Sequence, residues 1–277
     1  METTRWKAIA LFATTIGFGC MSTTEIGDGL YAITNGTPDS THTGVGAVVL
    51  AIGDRWFYSC SGSLISPTVV LSAGHCINAL LTGGYPMGVT FEEFVSQPLS
   101  SQVVATIIRG TGYVHPEFSP GDPHDWHDLG VIVLQTPVTD RPVSRLPSAG
   151  LLDQLDAMHM LGTGTVFTVV GYGLSGPTIP IHGDQSVFLT DQRMSGRQDF
   201  LSLQKAYVHA KANQNQDFDA SCNGDSGGPE YLEIGGQEIE VSITDLGGTC
   251  KNGGDIYNYR LDIPGARSFL EQFVTLP

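Results

Sequence analysis

Short apolar runs separated by Gly, Pro, Asn and Asp recur along most of the chain, and that spacing predicts strands of a barrel or sandwich rather than helices. The runs are Val45–Ile52, Phe57–Cys60, Ser63–Ile65, Val69–Leu71, Val103–Ile108 and Val131–Leu134. After a break come Val166–Tyr172, Ser186–Leu189, Leu203–Ala210, Ile239–Thr244 and Ile256–Tyr259. The break, Val143–Asp156 with Leu146-Pro147-Ser148-Ala149 inside it, reads as a linker between two sets of strands. One short helix is expected near the end, over Pro264–Phe273. Proline suits its first turn, and Phe269 and Phe273 fall on one face at i, i+4.

Composition narrows this to an all-β, turn-rich protein. Of 277 residues, 41% are hydrophobic, only 15% are charged and 35 are glycine, enough for one large core or two small ones and too apolar for a disordered chain. The net charge of −15 argues against nucleic acid or an anionic membrane surface as partner; solubility is its simplest reading. No run of eighteen apolar residues follows the N-terminal region, so no membrane span is expected. Residues 1–19 read as a secretory signal: Arg5 and Lys7 are followed by the apolar run Ala8–Phe18 and by Gly17 and Gly19 at a small-x-small cleavage site. Export to the extracellular space is the expectation. Cleavage before Cys20 leaves a lipid anchor on that cysteine, and a cell-envelope location, as the alternative. Gly17 stands where lipoproteins usually carry Leu, which favours ordinary secretion.

Three motifs carry chemistry. Cys222-Asn223-Gly224-Asp225-Ser226-Gly227-Gly228-Pro229 presents a serine on a glycine-rich loop, where converging backbone N–H groups suit a nucleophile beside an oxyanion hole. Taken alone, such a loop is also an ordinary turn capped by Ser and Asp. Upstream lies Leu71-Ser72-Ala73-Gly74-His75-Cys76, and between the two His127-Asp128-Leu129-Gly130-Val131-Ile132-Val133-Leu134. The order His75, Asp128, Ser226 fits a triad in which an imidazole takes the serine proton and a carboxylate fixes its tautomer. Together the motifs resemble the chymotrypsin/trypsin-like family of serine endopeptidases, with weaker similarity from about Ile33 to the C-terminus.

That resemblance implies two six-stranded antiparallel β-barrels packed together, about 33–142 and about 157–277, within a protease domain over 33–277. His75 and Asp128 come from the first barrel and Ser226 from the second. The amides of Gly224 and Ser226 form the oxyanion hole. Ile33-Thr34-Asn35-Gly36-Thr37 resembles the family's mature N-terminus, so 20–32 is a propeptide; its removal frees the Ile33 ammonium to pair with Asp225. Because Ala32 rather than Lys or Arg precedes Ile33, the activating protease is not expected to be trypsin-like. Disulfides Cys60–Cys76 and Cys222–Cys250 are implied, leaving Cys20 single.

The resemblance also implies where a specificity pocket lies, by counting along the family's pattern from its motifs. Six before the nucleophile stands Ala220; back from Cys250, the pocket wall falls on Thr244-Asp245-Leu246, with Leu246 narrowing it. Asp255, with Asp219 as a weaker alternative, either receives a basic side chain or sits in solvent. Gly171-Tyr172-Gly173 resembles the family's Gly-Trp-Gly brace.

Asp122, His124, Asp125, His127 and Asp140 compete with Asp128, which is preferred because Leu129–Leu134 follow it as the family's strand does. His124–Asp128 also has the composition of a metal cluster. No other segment completes a ligand set, so neither metal nor cofactor is expected. His42, His115, His159, His182 and His209 read as surface or loop histidines. The function expected is an exported serine endopeptidase made as a zymogen, acting on protein or peptide substrates. The alternative is a catalytically weak, protease-like binding protein on the same fold.

Overall fold

The computed structural model describes residues 33, 36–120, 125–173, 179–181, 185–187, 192–212, 221, 224–249 and 253–277. After a short strand β1 (Thr37–Pro38) come β2 (Val45–Ile52), β3 (Arg55–Ser66), β4 (Val69–Ser72), helix α1 (Gly74–Thr82), β5 (Met87–Thr90), helix α2 (Ser101–Val104), β6 (Ile108–Val114) and β7 (Gly130–Leu134). The six strands β2-β3-β4-β7-β6-β5 close into a barrel. Helix α3 (Leu151–Ala157) leads to β8 (Val166–Gly171), a separate two-stranded hairpin β9 (Ile179–Ile181) and β10 (Gln185–Val187), then β11 (Met194–Leu203), β12 (Tyr207–Ala212), β13 (Pro229–Ile234), β14 (Gln237–Thr249), β15 (Gly253–Arg260) and helix α4 (Pro264–Leu270). The sheet β11-β12-β15-β14-β13-β8 closes through an added β11–β8 pairing, with β1 on its edge against β11. The two six-stranded antiparallel barrels and the short C-terminal helix expected from the sequence are both present.

Side-chain alternation explains how the barrels meet. On β2, Val48 packs into the main core with Leu64, Leu71 and Ile132, whereas Val45, Ala47 and Val49 point the other way, onto Trp56, Tyr58, Val170, Tyr172 and Tyr231. Strand period 2 thus divides one apolar run between a barrel interior and the seam with the second barrel. Each fully buried aliphatic side chain contributes roughly 1.5–3 kcal/mol, so the register is strongly fixed. α4 lays Ala266, Phe269 and Leu270 on the main core, and Phe273, in the turn after it, keeps its ring 5.2 Å from that of Phe269.

Four local expectations need correction. Val103–Ile108 is not one strand: the Ser100 hydroxyl accepts a hydrogen bond from the Val103 N–H and caps α2, and β6 begins only at Ile108. The linker contains α3, with Leu152 and Leu155 buried. Phe57–Cys60 and Ser63–Ile65 belong to the single strand β3. Leu203 ends β11, and β12 starts at Tyr207. Strands β1, β5, β9 and β13, and all of β11 except Leu203, lay outside the apolar runs selected from the sequence.

Candidate active site

Strand pairing brings the first two residues together. β4 and β7 are antiparallel, with Ser72 opposite Gly130, so residues just after β4 and just before β7 emerge side by side. His75 stands there at the start of α1 and Asp128 on the opposite chain. The approach is tight. A Cβ on Gly74 would lie 2.8 Å from the Leu129 amide nitrogen and 2.9 Å from Asp128 Oδ1. The turn before Asp128 is fixed by Asp125, whose Oδ1 accepts from the His127 N–H and the Tyr259 hydroxyl, both at 3.0 Å.

Asp128 is fully buried. Its Oδ2 is 2.6 Å from His75 Nδ1, and its Oδ1 accepts the His75 backbone N–H at 2.5 Å. Burial alone would raise this carboxyl, but the hydrogen bonds from the His75 ring and backbone N–H and the attraction of the imidazole outweigh it and hold it below the usual range. With Nδ1 engaged, the half-exposed His75 ring (36% of its side chain) has Nε2 left for other work.

The serine loop bridges the barrels. From the first, the Ser61 N–H donates to Ser226 O at 3.0 Å, and the Tyr58 and Ser61 hydroxyls donate to Gly224 O. From the second, the Gly227 N–H donates to Thr244 O at 2.8 Å and the Thr244 N–H to Gly228 O at 2.9 Å. Gly227 has φ +79°, and a Cβ there would sit 2.2 Å from Ser72 Oγ and 2.5 Å from the Ala73 nitrogen, so only glycine lets the loop lie this close to β4. Cys76 Sγ is 3.8 Å from Ser226 O. The Ser226-Gly227 segment is therefore seated against Ser61 and against Ser72, Ala73 and Cys76, the last three flanking His75 in sequence. Among the described residues no hydrogen bond joins the Ser226 hydroxyl to the imidazole, and neither the Gly224 nor the Ser226 amide donates one.

Asp225 is buried, with the Gly173 N–H donating to its Oδ1 at 2.8 Å. Gly171-Tyr172-Gly173 wraps it, and the Tyr172 N–H donates to Ser61 Oγ at 2.9 Å. Ile33 is fully buried against Val169 and Met194 of the second barrel.

Of the cysteines, Cys60 and Cys76 form a disulfide; Cys20, Cys222 and Cys250 lie outside the described residues, as do Ala220, Asp219, Asp122, His124 and His182. Thr244 is buried, and its backbone clamps the serine loop. Leu246 continues β14. Asp255 is exposed, 3.4 Å from His209 Nε2, in keeping with the solvent alternative.

Two histidines differ from a surface reading. His115 is buried and stacks on His127, with ring centroids 4.7 Å apart, while His42 pairs with Asp39. His115, Glu117 and His127 each bring one ligand atom within 4.8 Å of the others, the set with the makeup of a metal site. Yet His115 Nδ1 already accepts the Glu117 N–H at 3.1 Å, and its Nε2 lies 3.3 Å from Gly265 O, so both ring nitrogens are engaged.

The residue that sequence reasoning missed is Asp245. It was read only as part of the pocket wall. In the structure its carboxyl lies within 4.8 Å of both Asp128 and a His75 ring nitrogen. The acid that directly follows Val241-Ser242-Ile243-Thr244 was the available signal.

Comparison with known proteins agrees with this architecture. A family model described as Trypsin matches residues 33–260. The chain is 30% identical over 182 residues to Chymotrypsin-C of Rattus norvegicus, covering 64% of this chain and 62% of that protein. It is 27% identical over 247 residues to the Phenoloxidase-activating enzyme of Bombyx mori (80% and 54%). To Chymotrypsin-like elastase family member 1 of Canis lupus familiaris it is 24% identical over 197 residues (69% and 71%). The aligned part spans less than two thirds of the length of the first two relatives. Among the described residues no helix is long and apolar enough to cross a membrane. The family match, the paired barrels and the loop seated between them agree: this chain belongs to the trypsin family of serine proteases.

Proposed function

We propose that the chain is a serine endopeptidase, exported and made as a zymogen, that hydrolyses peptide bonds through an acyl-enzyme. One observation carries the reading: a fully buried carboxylate holds His75 by Nδ1 at 2.6 Å, which leaves Nε2 available as a base, and the serine loop is packed against the residues around that histidine. His75 takes the Ser226 proton as the hydroxyl oxygen attacks the substrate carbonyl, then returns it to the leaving amine. Water, deprotonated by His75, then releases the acyl group. The Gly224 and Ser226 amides stabilise the negative oxygen that develops. Substrate binding draws the hydroxyl and imidazole into hydrogen-bond contact, since such contacts are often long without substrate.

The second half of the proposal is activation. Residues 1–19 direct export and 20–32 are removed, and the Ile33 ammonium then pairs with Asp225. A buried carboxylate is costly without a cation, so this pairing keeps the oxyanion loop in its working shape. The activating enzyme cuts after Ala32.

The test is turnover of a protein beginning at Ile33 on a peptide library. Ser226→Ala should abolish hydrolysis while leaving the unfolding midpoint near wild type. Hydrolysis by Ser226→Ala at the parental rate would refute the nucleophile assignment. Full activity with residues still attached before Ile33 would refute the switch.

A further inference from the structure

Asp245 occupies a bulge. The pairing of β14 with β15 runs from Thr244 opposite Asn258 to Leu246 opposite Tyr257, leaving Asp245 as the extra residue. Bulges re-aim a side chain, often beside active sites, and here the residue is only 7% exposed. Its carboxyl lies beside the His75–Asp128 pair, one oxygen of each acid and one ring nitrogen all lying within 4.8 Å of one another.

Charge balance around it is unfavourable for a second anion. The ionisable groups that act on or feel Asp245 are Asp128 before β7, His75 on α1, Tyr207 on β12 and Tyr259 on β15. The two tyrosines are neutral, and the Tyr259 hydroxyl proton is already given to Asp125. Only the imidazole is able to carry positive charge, and its Nδ1 is committed to Asp128. Among the described residues neither oxygen of Asp245 receives a hydrogen bond, whereas Asp128 receives two from His75. The single proton that two adjacent buried acids must share therefore belongs on Asp245. Burial, followed by the hydrogen bond and charge of Asp128, holds the Asp245 acid far above the usual carboxyl range.

We propose that Asp245 is kept as the neutral carboxylic acid and donates its proton in a hydrogen bond to Asp128, acting as a positioning residue for the carboxylate that orients His75. The inference rests on the protease reading above and adds to it a residue that touches no substrate. An ionised Asp245 would repel Asp128 and loosen its hold on the imidazole, while an amide in its place keeps a donor and removes the charge.

Two readouts test this. The first is an infrared difference spectrum at pH 8 between Ser226→Ala protein with and without Asp245→Asn, which needs no turnover. A protonated-carboxyl band should be present with Asp245 and missing with Asn; bands from Glu230 and Glu240, two fully buried acids that burial pushes up, are common to both and cancel. The second is kinetics: Asp245→Ala should lower kcat about 10- to 100-fold with KM changed less than about threefold, and Asp245→Asn should restore most of the loss. A spectrum with no difference, or equal kcat in the Ala and Asn variants, overturns the inference. Wild-type protein that neither turns over nor labels at Ser226 while keeping the band would instead overturn the protease reading.

Discussion

Gly227→Ala probes how closely the serine loop is fitted to the first barrel. The new Cβ would lie 2.2 Å from Ser72 Oγ, 2.5 Å from the Ala73 nitrogen and 2.7 Å from Ser61 O. Two of these are backbone atoms of β3 and of the junction before α1, which cannot swing aside as a side-chain tip would. The φ of +79° adds roughly 1–2 kcal/mol for a residue with a Cβ, and overpacking typically adds about 1–3 kcal/mol. The expected loss is about 2–5 kcal/mol, a large part of the ~5–15 kcal/mol that holds a domain folded. Gly235→Ala supplies the control: its φ is +60°, and nothing lies within 4 Å of the added carbon, so it carries the conformational cost alone. Guanidinium unfolding of the two variants, with unchanged slope, gives the difference directly. Gly227→Ala should be the less stable by about 1–3 kcal/mol and should lose Ser226 reactivity, which Gly235→Ala keeps. Equal midpoints would refute the claim that close approach, rather than backbone conformation alone, requires this glycine.

Two further predictions concern stability. Glu230 is fully buried with Ser242 and Asn258 as donors, and burial pushes its acid from 4.5 to about 8. The native state therefore keeps a proton that the unfolded chain releases, so stability falls as pH rises through that window, by up to about 1.4 kcal/mol per pH unit. Glu230→Gln should flatten this slope in denaturant titrations at pH 5, 6.5 and 8, with Glu240 and Asp245 supplying what remains; a slope equal to wild type would contradict the assignment. Replacing Cys60 and Cys76 together by Ala opens a bridge between residues 16 apart in sequence and should cost roughly 3 kcal/mol. A loss under about 1 kcal/mol in the same titration would show that packing around α1, not the bridge, restrains this loop.

The broad architecture was legible because barrel strands leave short apolar runs bounded by turn residues, as at Val45–Ile52 and Val131–Leu134, and because three motifs occur in a fixed order. Elements whose stability comes from contacts distant in sequence were harder to read. α1 has no side-chain cap and buries Cys76, Ile77 and Leu80 against the barrel, so its helical form is set by packing rather than by a local signal. In 101–108 the β-branched residues outweighed the Ser100 cap, although that cap was visible in the sequence. Asp245 could not be assigned by counting back from Cys250, because two bulges, at Thr244/Leu246 and Gly247/Thr249, interrupt the strand on the way. Counting likewise could not choose between the two readings of Asp255, since register within a twisted, bulged barrel is not conveyed by sequence distance.

The account's central claim is that Ser226 is a nucleophile activated by His75. Its most direct test is mass spectrometry of protein beginning at Ile33 after treatment with a serine-directed organophosphonate. The account predicts one adduct, mapped to Ser226 and absent from both Ser226→Ala and His75→Ala. An adduct on another residue, or undiminished labelling of Ser226 in the His75→Ala protein, would contradict it.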